Sequence, residues 1–457
     1  MRIDSLHMNV VLISIDALRA DHVGAYGYTN DTTPYIDSWA KHATVFTNVQ
    51  TVIPSTHPSF GSLLTGDYPW STGMLNTIDR SVPSNMVNYY TETLPKILKA
   101  NGFYTAAFVS NYFLRPEFTG FNNGFDEYHA FNKWRISPDK YSEYFFNTIP
   151  QWIRANKGKR FFLWVHLMDA HSPYDWTDPQ NVCKFTKNCS NLVKQVENGE
   201  AEYMRSANQG CMARPLPKQA VQEFSDLYDG GIMSADLRAG IILQTLKKEG
   251  LDKNTLVIIY GDHGEGFDHN YYFTHGGTLY NSLTRIPLII RDPFLSGGGT
   301  DNRLIENVDI LPTILDLLNI VRGNINLEGN SFVNDFYYGS LAKLLPGGRK
   351  YTYSASVSQD KFSVFDGRYK YIESTGDGCL FNGQREELYD IKKDPHEAVN
   401  LINKKKDMAG KLRSVLFGYF SKYNIPNNID AQSMRNYLKY PQGNNSIMDK
   451  ELRSIGY

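Results

Sequence analysis

Two apolar runs of strand length end abruptly in side chains that bind metal ions. Asn9-Val10-Val11-Leu12-Ile13-Ser14-Ile15 closes on Asp16, and Leu256-Val257-Ile258-Ile259-Tyr260 runs through Gly261 into Asp262-His263-Gly264-Glu265. A third run, Phe161 to Met168, ends at Asp169. Apolar stretches without polar alternation fit strands buried on both faces of a parallel sheet. Ligands of open α/β sheets sit beyond the carboxyl ends of such strands. Asp16, Asp262 and His263, delivered to one edge, would make a divalent-metal site of hard oxygens and one imidazole. The competing reading of Asp262 to Gly264 is a turn, where Asp and Gly are common. A turn does not require His263 between them, so ligation is the preferred reading. Asn111 follows another strand-like run and either touches substrate at the same edge or forms an Asx turn.

The elements that must position these groups alternate along the chain. Leu94 to Asn101 reads as a helix closing on Gly102, Tyr104 to Ser110 as a strand, and Phe224 to Lys248 as a helix stopping at Gly250. A short strand over Pro287 to Arg291 and a helix over Ile310 to Leu318 follow. This alternation predicts an α/β fold with a mainly parallel central sheet and helices on both faces. A catalytic domain is expected over 1–335, with a polar insertion at 176–218. Tyr351 to Val357, Lys361 to Asp366 and Tyr369 to Ser374, with a turn at Asp366-Gly367, read as an antiparallel meander. With a helix over Lys405 to Tyr423 they make a small C-terminal α+β subdomain, 336–424. A polar tail, 425–457, completes the chain.

With 47 basic and 48 acidic residues in 457, the formal net charge of −1 argues against nucleic acid or an anionic membrane as partner. No stretch approaches the roughly 18 to 20 apolar residues of a membrane span, and the polar start, Met1 to Met8, does not read as a secretory signal. A cytoplasmic protein is the expectation for the chain as written; a leader trimmed from the N-terminus would leave the same record. Cys183, Cys189 and Cys211 share one polar segment, and Cys379 stands apart. In an intracellular chain they are expected as reduced thiols, with a Cys183–Cys189 disulfide as the alternative in an oxidising compartment. A zinc knuckle is disfavoured because no CxxC pair occurs. The sequence indicates no oligomeric state.

Six blocks in order resemble the sulfatase branch of the alkaline phosphatase superfamily. Asp16-Ala17-Leu18-Arg19-Ala20-Asp21, with Gly24-Ala25-Tyr26-Gly27 and Thr33-Pro34-Tyr35-Ile36-Asp37, is similar to the family's opening block. Thr56-His57-Pro58-Ser59-Phe60-Gly61-Ser62-Leu63-Leu64-Thr65-Gly66 resembles the nucleophile block. His166 to Tyr174, Gly261 to Glu265, His275 to Tyr280, and Glu387-Leu388-Tyr389-Asp390 with Lys393-Asp394-Pro395 and Asn400-Leu401 follow.

The resemblance implies that Thr56 is the nucleophile and joins Asp16, Asp262 and His263 around one divalent ion, an alcohol being weak until activated. A helix over Pro58 to Leu64 would present backbone N–H groups to an anion, while the competing reading makes Ser55-Thr56-His57 a helix cap. His171 and His275 are expected at the substrate oxygens or the leaving group. A sharper option assembles a second metal from Asp169, His171 and His275.

Two departures bear on chemistry. Sulfatases carry Cys or Ser, oxidised to formylglycine, in C-x-P-x-R; here those positions hold Thr56 and Phe60. The threonine methyl forbids the aldehyde hydrate, and a plain Thr–sulfate ester is hard to clear. The expectation from sequence is therefore hydrolysis or transfer of phosphate mono- or diesters through a Thr56 covalent intermediate, on a small-molecule, glycan or lipid-head-group substrate. The alternatives are a sulfatase acting without formylglycine and a non-catalytic binder of a sulfated or phosphorylated ligand. Ala17 is the second departure, because family sulfatases usually place two adjacent carboxylates there. Losing one hard ligand favours manganese or zinc, with calcium and magnesium remaining compatible. Arg19 either replaces the cation lost at Phe60 or forms a surface ion pair; Asp21 and Asp37 are read as structural, and His57 as lying outside the metal shell.

Overall fold

A computed structural model describes residues 8–75, 87, 90–133, 137–174, 179–187, 189–197, 215–294, 298–323, 325–333, 348–375, 380 and 383–423. The central sheet contains eight strands: β1 (Asn9–Ile15), β2 (Thr44–Gln50), β3 (Tyr104–Val109), β4 (Glu127–Ala130), β5 (Phe161–Leu167), β6 (Thr255–Gly261), β9 (Arg285–Arg291) and β10 (Gly299–Glu306). A two-stranded hairpin, β7 (Phe267–Asp268) and β8 (Tyr271–Tyr272), lies between β6 and β9 in the chain. The sheet order is β10-β2-β9-β6-β1-β5-β3-β4. β9 alone runs antiparallel to both neighbours; the other adjacent pairs are parallel.

β1 explains why its run is uninterruptedly apolar. Val11, Ile13 and Ile15 enter one hydrophobic cluster and Val10 and Leu12 another, so successive side chains fill opposite cores. The first cluster packs against the helix Lys218–Lys248 through Ile232, Ala235, Ala239 and Ile242. The second takes in the helices Thr56–Thr65, Leu94–Ala100 and Ile310–Leu317. Helices thus cover both faces. Lys218–Lys248 starts six residues before the expected Phe224, since its first turns are polar and carry weaker periodicity. Gly231 in this helix lies so close to the loop after β5 that a Cβ would meet the Asp169 carbonyl at 2.4 Å.

Register sets the chemistry at the carboxyl edge. Ile15 pairs with both Leu167 and Gly261, so Asp16 and Asp262 leave adjacent strands at one level. A second sheet of β11 (Thr352–Ala355), β12 (Lys361–Phe365), β13 (Tyr369–Ser374) and β14 (Glu386–Asp390) is antiparallel throughout. It packs on the helix Lys406–Phe420 through Leu412, Leu416 and Phe420.

Cys183 and Cys189 form a disulfide with Cα atoms 5.0 Å apart, which corrects the expectation of reduced thiols there. The helix Cys189–Glu197 brings Cys189 back beside the end of Pro179–Val182, close enough to bridge. Cys211, Cys379, much of the expected insertion and the tail 425–457 lie outside the described residues. Among the described residues no helix is long and apolar enough to cross a membrane.

Candidate active site at the sheet edge

Asp16, Asp262 and His263 offer ligand atoms within 4.8 Å of one another, and all three are fully buried. The loop after β1 is pinned by Tyr228, whose hydroxyl donates to the Ala17 carbonyl and accepts from Arg19 N–H, both at 2.8 Å. Ala17 itself sits at φ 57°, a left-handed conformation uncommon for alanine, and its N–H donates to Asp262 Oδ1 at 3.1 Å. His263 N–H reaches the same oxygen at 2.9 Å. Asp16 Oδ2 accepts from Asn111 Nδ2 at 2.7 Å and lies 3.1 Å from His166 Nε2. That leaves Asp16 Oδ1 and Asp262 Oδ2 buried without hydrogen-bond donors.

Thr56 enters from the first turn of its helix. Ser59 secures that helix by donating to the Asp262 carbonyl at 2.8 Å, and Asn307 Nδ2 donates to the Ser59 carbonyl at 3.0 Å. Thr56 Oγ1 then lies 3.2 Å from His263 Nε2 and 3.5 Å from Asp16 Oδ2. Ser55 occupies the cap position but makes no side-chain cap hydrogen bond, so capping does not account for this Ser-Thr pair.

The electrostatics favour a cation. Burial alone would raise Asp16, yet the His171, His166 and His263 imidazoles hold it well below the usual carboxylate range. Asp262 moves the other way, pushed well above its ordinary value by burial and then by the charge of Asp16. Two carboxylates in one dry site resist joint ionisation, and a divalent ion relieves that conflict. His263 Nδ1 sits 2.9 Å from the Gly264 carbonyl, an acceptor only, so Nδ1 is the donor and Nε2 faces the carboxylates. Burial pushes this imidazole down to about 4, leaving Nε2 free to ligate at neutral pH. The donor set of Asp16, Asp262, His263 and Thr56 fits one divalent metal.

His171 and His275 lie together beside this group. Their Nε2 atoms are 3.2 Å apart, and the His275 ring centroid is 4.0 Å from that of His263. Asp169 does not join them. Its Oδ1 accepts from Arg238 Nη1 at 2.7 Å and its Oδ2 from Tyr141 OH at 2.8 Å, so the second-metal set loses its carboxylate to a buried ion pair. Arg19 likewise does not replace the cation lost at Phe60. It is buried, its Nε and Nη2 donate to Asp21 at 2.9 and 2.8 Å, and Nη1 donates to the Glu265 carbonyl. Phe60 is fully buried against the rings of Trp164, His166 and Tyr260. Asp37 accepts from Ala25 N–H and Thr33, a structural role. His57 is buried beside Phe121. His166 was not singled out from the sequence, although a histidine inside an otherwise apolar strand was its visible signal.

The sulfatase profile matches residues 8–320, and that of the C-terminal region of N-sulphoglucosamine sulphohydrolase matches 268–417. The chain belongs to the sulfatase family. An arylsulfatase of Clostridium perfringens is 27% identical, over 89% of this chain and 93% of its own. A Δ4,5-hexuronate-2-O-sulfatase of Bacteroides thetaiotaomicron is 24% identical, over 91% and 89% respectively. A protein solved with its substrate D-glucosamine-2-N,6-O-disulfate superimposes with a TM-score of 0.69 at 18% identity, covering 92% of this chain and 99% of its own. That likeness concerns the fold, and it agrees with the mainly parallel sheet and helices on both faces. As a sulfatase-family chain with an Asp/His cluster that could hold a metal, it is a hydrolase of the expected superfamily.

Proposed function

We propose that this chain is a metal-dependent sulfuric ester hydrolase acting on sulfated saccharides, with one ion held by Asp16, Thr56, Asp262 and His263. The observation that carries the reading is the sulfatase match over 8–320, spanning every strand that delivers a residue to the site. The names of the relatives, including a hexuronate sulfatase, support sulfate over phosphate and a sugar as the leaving group. This reverses the order of preference that Thr56 alone suggests.

A divalent ion in such a site supplies charge to the ester's outer oxygens and acidifies a neighbouring hydroxyl or water. The chain's own groups do the rest. Thr56 Oγ1, beside Asp16 and His263, holds a water for attack on sulfur, so no ester on threonine has to be cleared. As the water's oxygen joins sulfur, the S–O bond to the sugar breaks and the His171–His275 pair delivers a proton to the departing alcohol oxygen. The water's own proton leaves with the sulfate to solvent, from which the pair is reprotonated.

The second reading keeps Thr56 as nucleophile on phosphorus. It is favoured by the methyl on its Cβ and by the apolar Phe60 where the family places arginine. Thr56 Oγ1 would displace the alcohol, and water or another alcohol would then take the phosphoryl group from Thr56.

Matched nitrophenyl sulfate, phosphate monoester and phosphate diester separate the readings, with kcat/KM measured beside rapid-quench mass analysis of Thr56. Dominant sulfate turnover with no ester on Thr56 supports the first. Dominant phosphate turnover with an ester on Thr56 moves the assignment to the second. Metal uptake without turnover of any ester leaves a binding protein. The Cys183–Cys189 disulfide supports an oxidising compartment over the cytoplasm.

A further inference from the structure

Behind Asp16 runs a chain of hydrogen bonds that belongs to none of the motif positions assigned a role above. Ser14 and His166 are register partners on β1 and β5, and both are fully buried. Trp164 Nε1 lies 2.9 Å from Ser14 Oγ, and an indole N–H only donates, so Ser14 accepts. The nearer outlet for the Ser14 proton is His166 Nδ1 at 2.9 Å; the Val165 carbonyl is at 3.3 Å. His166 Nε2 lies 3.1 Å from Asp16 Oδ2, and an ionised carboxylate only accepts, so Nε2 carries the hydrogen. One polarity satisfies every member: Trp164 to Ser14, Ser14 to His166, His166 to Asp16.

The surroundings are apolar. Phe60, standing where the family has arginine, meets the His166 ring edge-on at 5.1 Å and lies 4.9 Å from Trp164. Apolar walls strengthen such a relay, and they make an unpaired member costly. At its end, Asp16 Oδ2 receives both His166 and Asn111, while Oδ1 receives no donor and lies 3.4 Å from His263 Nε2.

We infer that His166 is a positioning residue for the metal site, held as its Nε2–H tautomer by Ser14 and Trp164, and that it fixes the Asp16 carboxylate so that Oδ1 is the oxygen offered beside Asp262 and His263. The inference rests on the metal reading above and adds the group that orients its first ligand. Histidines and carboxylates behind metal ligands act in this way, and losing one weakens metal binding by about 10–100-fold.

The test is calorimetric titration of Mn²⁺ into the metal-free full chain, beside its thermal unfolding. His166→Leu should bind about 10–100-fold more weakly than wild type. His166→Gln, whose amide N–H can replace Nε2–H, should recover most of that loss. Ser14→Ala, which deletes one hydroxyl and leaves the ring in place, should weaken binding by a few-fold with cooperative unfolding intact. A purely structural role would instead lower stability in all three and give no rescue by glutamine. If His166→Leu does not fold, the Ser14→Ala and His166→Gln pair decides. Wild-type affinity in Ser14→Ala together with no advantage of glutamine overturns the inference while leaving the metal site standing. Failure of the wild type itself to take up Mn²⁺ overturns both.

Discussion

Among the buried ionisable groups of the described residues, two clusters differ in whether their valences are closed. At the sheet edge, Asp16 and Asp262 each keep one oxygen without a donor. Where the central sheet meets the antiparallel sheet of β11 to β14, Glu306 and Asp309 are paired at every oxygen. Glu306 Oε1 accepts from Tyr353 N–H, and its Oε2 from Tyr68 OH and from Arg349 Nη1 at 3.1 Å. Asp309 Oδ1 accepts from Arg349 Nη2 and Asn330 N–H, and Oδ2 from Arg349 Nε and Glu306 N–H. A closed cluster ties β10 to β11 and needs nothing further. An open one is a cost to the metal-free fold that a bound cation would offset, which is what a metal site requires.

The contrast can be broken at either end. Thr56→Ala should lower kcat/KM on the preferred ester by about 10³-fold or more, as removal of a group acting at the reacting centre does. Chemical unfolding should show little change in stability, because Thr56 contributes no packing to the closed cluster. Arg349→Ala should do the reverse. It strands Glu306 and Asp309 in a buried setting and should destabilise by about 3–5 kcal/mol in urea unfolding, with activity per folded molecule retained.

A smaller effect sharpens the comparison through pH. Burial, and then the Asp309 charge, lift Glu306 from 4.5 to about 7 against the pull of Arg349. A carboxyl whose folded value exceeds its unfolded one binds more protons in the folded state across that interval. Its contribution is therefore complete below about 4.5 and is lost as pH rises through about 7. The stability of wild type relative to Glu306→Gln, measured by urea unfolding of the metal-free protein at steps across this window, should fall as pH rises. A difference that does not vary with pH contradicts the assignment.

Strands ending in carboxylates were legible because burial on both faces removes polar alternation, and the break at Asp16 or Asp262 then stands out. β2 and β10 were not legible. Thr44-Val45-Phe46-Thr47-Asn48-Val49-Gln50 mixes polar and apolar residues, and β10 is an edge strand with exposed polar positions. The antiparallel sense of β9 is also invisible, since direction leaves no mark on a short apolar run. At the site, local order placed Asp262 beside His263, but partners distant in sequence decided the rest. Asp169 looked like a third strand-end ligand until Arg238, 69 residues away, took it up. Asn111, read as either an Asx turn or a substrate contact, makes the turn, its Oδ1 accepting from Phe113 N–H, and its Nδ2 donates to Asp16, a contact that only the fold brings about. His166 acquires meaning only once β1 and β5 are paired in register, opposite Ser14.

The most direct test of the open-cluster account is thermal unfolding of wild type and Asp262→Asn, each metal-free and Mn²⁺-loaded. An asparagine can keep the Ala17 and His263 N–H bonds on its oxygen and donate its amide to Asp16. The account predicts that Asp262→Asn raises the metal-free Tm, by about 1–2 kcal/mol of added stability for the relieved carboxylate pair, and abolishes the rise that Mn²⁺ gives wild type. A lower metal-free Tm together with an undiminished Mn²⁺ response would contradict it.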